Sequence, residues 1–146
     1  MQHDTALTAV AHTIQLAVAP VFLLTGVAAM LTVLTNRVAR VVDRARLLES
    51  HLAGSTPADA RALHVQLDTL SRRAKLISHA ITACTITALL VCAVIVVLFI
   101  GAFSRFDAAI PVALLFVAAM IALFVGLLSF LREILLATAT LRIGPH

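Results

Sequence analysis

The chain has 146 residues, 62% of them hydrophobic, a mean hydropathy of +1.08 and a formal charge of +4. A soluble domain holds about 45–50% apolar residues, so this composition excludes an ordinary soluble enzyme, and the clustering of the positive charge described below argues against a nucleic-acid binder. The length suits a single domain, residues 1–146.

Three stretches lack Asp, Glu, Lys and Arg: residues 5–36, 76–104 and 108–131. Each exceeds the roughly 20 residues that an α-helix needs to cross a bilayer core of about 30 Å. The sequence therefore predicts an all-α membrane protein with three transmembrane helices, over about residues 12–35, 77–101 and 110–131.

The first span starts after residues 1–4, which carry no Lys or Arg and so lack the basic n-region of a signal peptide. Ala17-Val18-Ala19 imitates a cleavage site, but the apolar run continues to Leu24, and the span is expected to be retained. Pro20 removes one helical hydrogen bond and predicts a kink. Gly26 reads as a close-packing site. Thr25, Ala29, Thr32 and Asn36 form a polar stripe, with Phe22 above it. His12 and Gln15 lie one turn apart near the outer end and do not make a ligand set.

The apolar pattern outlasts the span. Leu34, Val38, Val41, Ala45, Leu48 and Leu52 advance by 4, 3, 4, 3 and 4 residues, which is coiled-coil heptad spacing. Arg37, Arg40 and Arg44 fall within about 60° of arc on another side of the same helix. Asp43 lies about 100° from Arg44 and within i,i+3 reach of Arg46. Gly54 is placed as the residue after the helix end. Thr56-Pro57-Ala58-Asp59 reads as an N-cap, a first-turn proline and an acidic third position. Ala60, Leu63, Leu67, Leu70, Ala74, Ile77 and Ile81 then repeat the heptad and lead into the second span. Helices 1 and 2 are thus expected to extend into a cytoplasmic antiparallel helical hairpin over about residues 36–76, projecting about 25–28 Å.

On the second span Ser78, Thr82, Thr85 and Cys92 make another polar stripe, with His79 at its start. Cys84 and Cys92 are about 12 Å apart at helical rise, too far for a disulfide, and read as small packing residues. An outer loop containing Arg105 and Asp107 follows. Pro111 falls near the first turn of the third helix, where its missing N–H is harmless. Ala118, Ala122 and Gly126 form a track of small residues that allows close helix approach in lipid. Trp and Tyr are absent, so Phe103, Phe106 and Phe130 are the candidate interfacial anchors.

Charge placement orients the chain. Arg37, Arg40, Arg44, Arg46, Arg61, Arg72, Arg73 and Lys75 lie between the first two spans, and Arg132 and Arg142 follow the third. Only Arg105 lies between spans two and three. Basic residues collect in cytoplasmic loops, which predicts the N-terminus outside and the C-terminus inside.

Chemistry-bearing motifs are missing: there is no Ser/His/Asp set, spaced acid–base pair, Gly-rich phosphate loop or full metal-ligand set. His51 and His64, on opposite arms, fall short of the ligands of a zinc site. No catalytic residue, cofactor or metal is expected, and the chain is read as a non-enzyme. The polar stripes serve either interhelical hydrogen bonding or a pathway at an oligomer axis. The basic cluster serves topology and attraction to anionic lipid headgroups, pairing of Arg40 with Asp43 and of Arg72 or Arg73 with Asp68 or Glu133, or a vestibule that gathers inorganic anions.

Ile14-Gln15-Leu16-Ala17-Val18-Ala19-Pro20-Val21-Phe22-Leu23-Leu24, Thr35-Asn36-Arg37, Arg40, Asp43-Arg44-Ala45-Arg46 and Phe130-Leu131-Arg132-Glu133-Ile134 resemble a bacterial family of small membrane proteins catalogued as domain of unknown function 2721. The similarity covers about residues 8–143. It implies three spans and a bacterial inner membrane, and brings no established activity.

Three helices leave both polar stripes and the small-residue track uncovered, so a homo-oligomer of cyclic symmetry is expected. The functional reading is a passive ion channel. Phe22, Thr25, Thr32 and Asn36, or Ser78, Thr82 and Thr85, would line its path, with Arg37, Arg40, Asp43 and Arg44 at a basic inner mouth favouring anions. The alternative is a non-conducting scaffold or regulator whose hairpin binds a partner protein or anionic lipid.

Overall fold

Long charge-free runs joined to heptad-spaced arms leave few places where a helix can stop. In the computed structural model the chain accordingly forms three α-helices: α1 (Gln2–Leu52), α2 (Pro57–Phe103) and α3 (Ala109–Ala139). The structure describes residues 2–52, 57–103 and 107–139, and the side chains of residues 7–52, 59–103 and 107–138. No strand occurs among the described residues. The expected turn at Gly54, Ser55 and Thr56 lies outside them, as do Arg105, Phe106 and Arg142.

All three helices are long and apolar enough to cross a membrane, with windows of mean hydropathy 2.2, 3.0 and 2.8. Only 17%, 17% and 11% of those windows are buried within the chain. The apolar surface that remains has to meet lipid or another protein, so this is a multi-pass membrane protein.

Local sequence accounts for the helix limits. Pro57 opens α2, where a missing N–H costs nothing, and Asp59 sits in the first turn, favourable to the helix dipole. Asp107 Oδ1 accepts the Ala109 N–H at 3.1 Å, capping α3. Asp107, exposed just before α3, thus has a structural role as well. Pro20 lies inside α1, is buried, and does not end the helix.

Two compact units can be described separately. One joins α1 up to Leu31 with α2 from Ala83 and α3 up to Phe124. Its core holds Ala17 and Val27 of α1, Cys84, Val91 and Val94 of α2, and Ala119 of α3. Thr87 is fully buried there; its hydroxyl donates to Ala83 O at 2.9 Å and lies 3.4 Å from Ala119 O on α3. A Thr87→Val variant keeps the shape and loses this bond. Its expected cost is small, about 0.6 kcal/mol, read as a shift in the unfolding midpoint in detergent. A loss several times larger would show that the hydroxyl holds more than one helix contact.

The other unit joins Thr32–Thr82 with α3 from Val125. Leu34, Val41, Leu70, Ile77 and Ala80 are its buried apolar residues. Each heptad-spaced position on both arms is buried or half-buried, while Val42, Leu47 and Val65 beside them are exposed. Both arms line a shared groove, with Val41 and Ala45 on one wall and Leu67, Leu70 and Ala74 on the other. The end of α3 adds a third helix to the two expected.

Along the small-residue track one side is covered within the chain and the other is open. Ala119, not Ala118, is fully buried; Ala118 is exposed, Ala122 half-buried and Gly126 buried. One residue turns a helix by about 100°, so the inward row runs 119, 122, 126 in steps of 3 and 4. Gly26 is no packing site within the chain: a Cβ there would meet nothing within 4 Å. Cys84 is buried as a packing residue, whereas Cys92 is exposed.

Candidate functional site

The end of α3 carries a carboxylate into a protein interior. Glu133 is 0% exposed, and desolvating a lone carboxylate costs several kcal/mol. Two arginines from the other helices offset that cost. Arg73 of α2 donates from Nε at 3.2 Å and from Nη2 at 2.8 Å, both to Oε1. Arg37 of α1 donates from Nη1 to Oε2. Both carboxylate oxygens are therefore engaged, and no buried polar side-chain atom is unsatisfied among the described residues. The Arg37 guanidinium also lies 5.2 Å from the centroid of the Phe130 ring, a cation–π contact one turn before Glu133. Phe130 thus forms a shelf for Arg37.

The chemistry needs a charge at this spot only if it is shared. Two guanidinium groups against one carboxylate leave a positive surplus, and both arginines keep part of their side chains in solvent, 32% for Arg37 and 23% for Arg73. Arg40 and Arg44 continue the same side of α1. With Arg37, Leu70, Arg73 and Glu133 they line an open cleft of about 260 Å³. A larger cleft of about 560 Å³ shares Arg44, Leu70 and Arg73 and adds the apolar walls of Leu48 and Val65.

Of the ion pairs expected from the sequence, Arg73–Glu133 and Arg72–Asp68 form, the second at 3.2 Å on the exposed surface of α2. Arg40 does not pair with Asp43, and Asp43 does not pair with Arg46. Glu133 of the same chain supplies the carboxylate that neutralises Arg37. Arg37, Arg40 and Arg44 share a face of α1 but differ in burial. Arg37 is half-buried and engaged, while Arg40 and Arg44 are exposed.

The polar stripes stand elsewhere. Thr25, Thr32 and Asn36 are exposed, as are Ser78, Thr82 and Thr85, and Phe22 is 74% exposed. Thr25 donates to Val21 O at 3.3 Å and Thr82 to Ser78 O at 3.0 Å, each within its own helix. Such back-bonds satisfy a hydroxyl without a neighbouring helix. Two hydroxyls are buried, Thr13 and Thr87, and for Thr87 the sequence carries a signal. Steps of 3 and 4 run from Ile77 through Ala80, Cys84, Thr87, Val91 and Val94.

The histidines stay apart. His12, His51, His64 and His79 are exposed. His51 Nδ1 donates to Leu47 O at 2.6 Å and His79 Nδ1 to Lys75 O at 3.0 Å, as helix-surface groups do. Among the described residues no three of His, Cys, Asp and Glu gather as a metal site would require.

The sequence profile described as "Protein of unknown function (DUF2721)" matches residues 17–143. The chain belongs to the DUF2721 family. The match takes in Pro20, both arms and all three members of the Arg37–Glu133–Arg73 cluster. No curated protein and no solved structure matches the chain. DUF2721 membership thus accords with the resemblance carried by the first span and the Arg132-Glu133 ending, and the functional reading rests on this chain's own geometry.

Proposed function

We propose that the chain is a non-catalytic, non-conducting scaffold of the bacterial inner membrane, assembled as a homo-oligomer. Its N-terminus lies outside, and its paired arms and C-terminus lie in the cytoplasm. The observation that carries the non-conducting reading is the fully buried Glu133 with an arginine from each of the other two helices. Charges placed to serve a pathway have to face water. Here two of the cytoplasmic arginines are directed at an internal carboxylate, as a device that fixes helix register would require. The case for a polar path is also weakened, since the Thr25 and Thr82 hydroxyls are satisfied by their own helices.

The homo-oligomer rests on uncovered surface. Gly26 and Ala118 are small residues open to close approach by another helix. Identical membrane chains share one orientation, which favours cyclic symmetry. The orientation rests on Lys and Arg, ten of eleven on one side. In a background lacking Cys84 and Cys92, cysteines substituted at Ser55 and Asp107 are expected to react with an impermeant reagent from opposite faces of the membrane. Labelling of both from one face would overturn this topology.

A second reading, the passive anion channel, draws on one observation. Phe22, Thr25, Thr32, Asn36 and Arg40 are all exposed on α1, and Asn36 and Arg40 line an open groove with Val33 and Ala39. Copies arranged with that side inward would place Phe22 as an apolar ring that gates by dewetting and Arg40 at an anion-gathering mouth. Recordings of the purified protein in planar bilayers separate the two. The scaffold predicts no conductance from the wild type or from Arg40→Glu. An anion-selective current whose preference falls or reverses in Arg40→Glu would replace it with the channel.

A further inference from the structure

The positive surplus around Glu133 has no counterpart among the described residues. Four arginines, Arg37, Arg40, Arg44 and Arg73, line the smaller cleft against one carboxylate, Glu133. Three positive charges are left in excess. Arg37 and Arg73 cannot scatter, because Glu133 fixes both guanidinium groups by hydrogen bonds. Arg40 and Arg44 make no ion pair with a described residue and are exposed on the same wall. The remaining acidic groups nearby do not supply the balance: Asp68 is paired with Arg72, and Asp43 does not line the cleft.

We propose that this cleft is a binding site for a phosphate-bearing anion, with Arg40 and Arg44 as its ligands and Arg73 and Arg37 held in place behind them by Glu133. A guanidinium fork matches phosphate oxygens in pairs, which a spherical halide does not exploit. A phosphate monoester carries about −1.5 to −2 charges near neutral pH, which would offset about half to two-thirds of the excess the cleft presents. About 260 Å³ is many times the roughly 30 Å³ share of a water molecule, so a phosphate group fits. The adjoining cleft then has a use: Leu48, Val65 and Leu70 give it an apolar wall next to Arg44 and Arg73, as an amphiphile would need. Lipid headgroup and free phosphate share this chemistry. The site rests on the scaffold reading only for its cytoplasmic orientation. It stands or falls separately from conduction, since binding is measured without an electrical readout.

The test uses the full chain in detergent. Phosphatidic acid, phosphatidylcholine and inorganic phosphate are titrated in turn, with adducts read by native mass spectrometry and heats by calorimetry. Arg40→Gln, Arg44→Gln and the control Arg61→Gln, an exposed arginine outside the cleft, are compared with wild type. Wild type is expected to bind phosphatidic acid and not phosphatidylcholine. Arg40→Gln and Arg44→Gln should each weaken binding about tenfold, and Arg61→Gln should leave it unchanged. Displacement of phosphatidic acid by inorganic phosphate assigns the site to the free anion; resistance assigns it to the lipid headgroup. Either result supports the site. Equal binding of both lipids, or equal weakening by all three substitutions, would overturn it, because diffuse surface charge would then explain the attraction. Arg40 and Arg44 are exposed and unpaired, so both variants should keep the helical circular dichroism of wild type.

Discussion

Replacing Glu133 by alanine is expected to lower stability by about 3 kcal/mol, the lower end of the range for breaking a buried ion pair. The lower end applies because Arg37 and Arg73 are partly exposed and can turn toward water once the carboxylate is gone. What remains is two guanidinium groups facing each other with nothing between them. Far-UV circular dichroism during a denaturant titration in mixed micelles reads the loss as an earlier midpoint. Arg37→Ala and Arg73→Ala each leave a neutral pair and should cost less. In a double-mutant cycle Glu133→Ala and Arg73→Ala should couple by about 1–3 kcal/mol, as groups in one network do. An unchanged midpoint for Glu133→Ala would mean that water, and not this carboxylate, balances the arginines. The scaffold proposal would then lose its main support.

Ile77→Ala carries the next largest expected effect. Ile77 is 0% exposed in the unit that also buries Leu34 and Leu70. Removing its side-chain carbons leaves a cavity whose lining loses contacts on one side, at a cost of about 2–5 kcal/mol. Leu47→Ala is the matched control. Leu47 lies on the arm of α1 but is 62% exposed, and its loss should stay within about 0.5 kcal/mol. The same denaturant titration checks both. Equal effects would show that heptad position does not decide what these arms bury.

Much of the fold could be read from the chain because the signals are local. A run without charge is a span wherever it sits, since lipid penalises a charge regardless of what lies elsewhere in the sequence. The arm seams follow for a similar reason: steps of 3 and 4 put Leu34, Val41, Leu70 and Ile77 on single helix sides, and those sides are covered. Polar residues in the spans were harder. Thr85 and Thr87 are two residues apart, hence about 160° apart around the helix, and only their neighbours decide which is buried. The stripe containing Thr85 looked as regular as the row containing Thr87. The buried row runs from Ile77 through Ala80, Cys84 and Thr87, one residue off the arm's own heptad at Ala80. Ala118 and Ala119 differ in the same way.

Composition and periodicity alone thus determined the all-α class, three membrane-length helices and the inward sides of two arms, because each depends only on residues within a few turns. The tertiary structure decided which charges are shared. Glu133 meets Arg73 and Arg37 across 60 and 96 residues of chain. Before the helices are placed, Glu133 is one acidic residue among seven and Arg37 one of eleven basic ones. A buried carboxylate is tolerable only where donors converge from separate helices, and that convergence is a property of their packing.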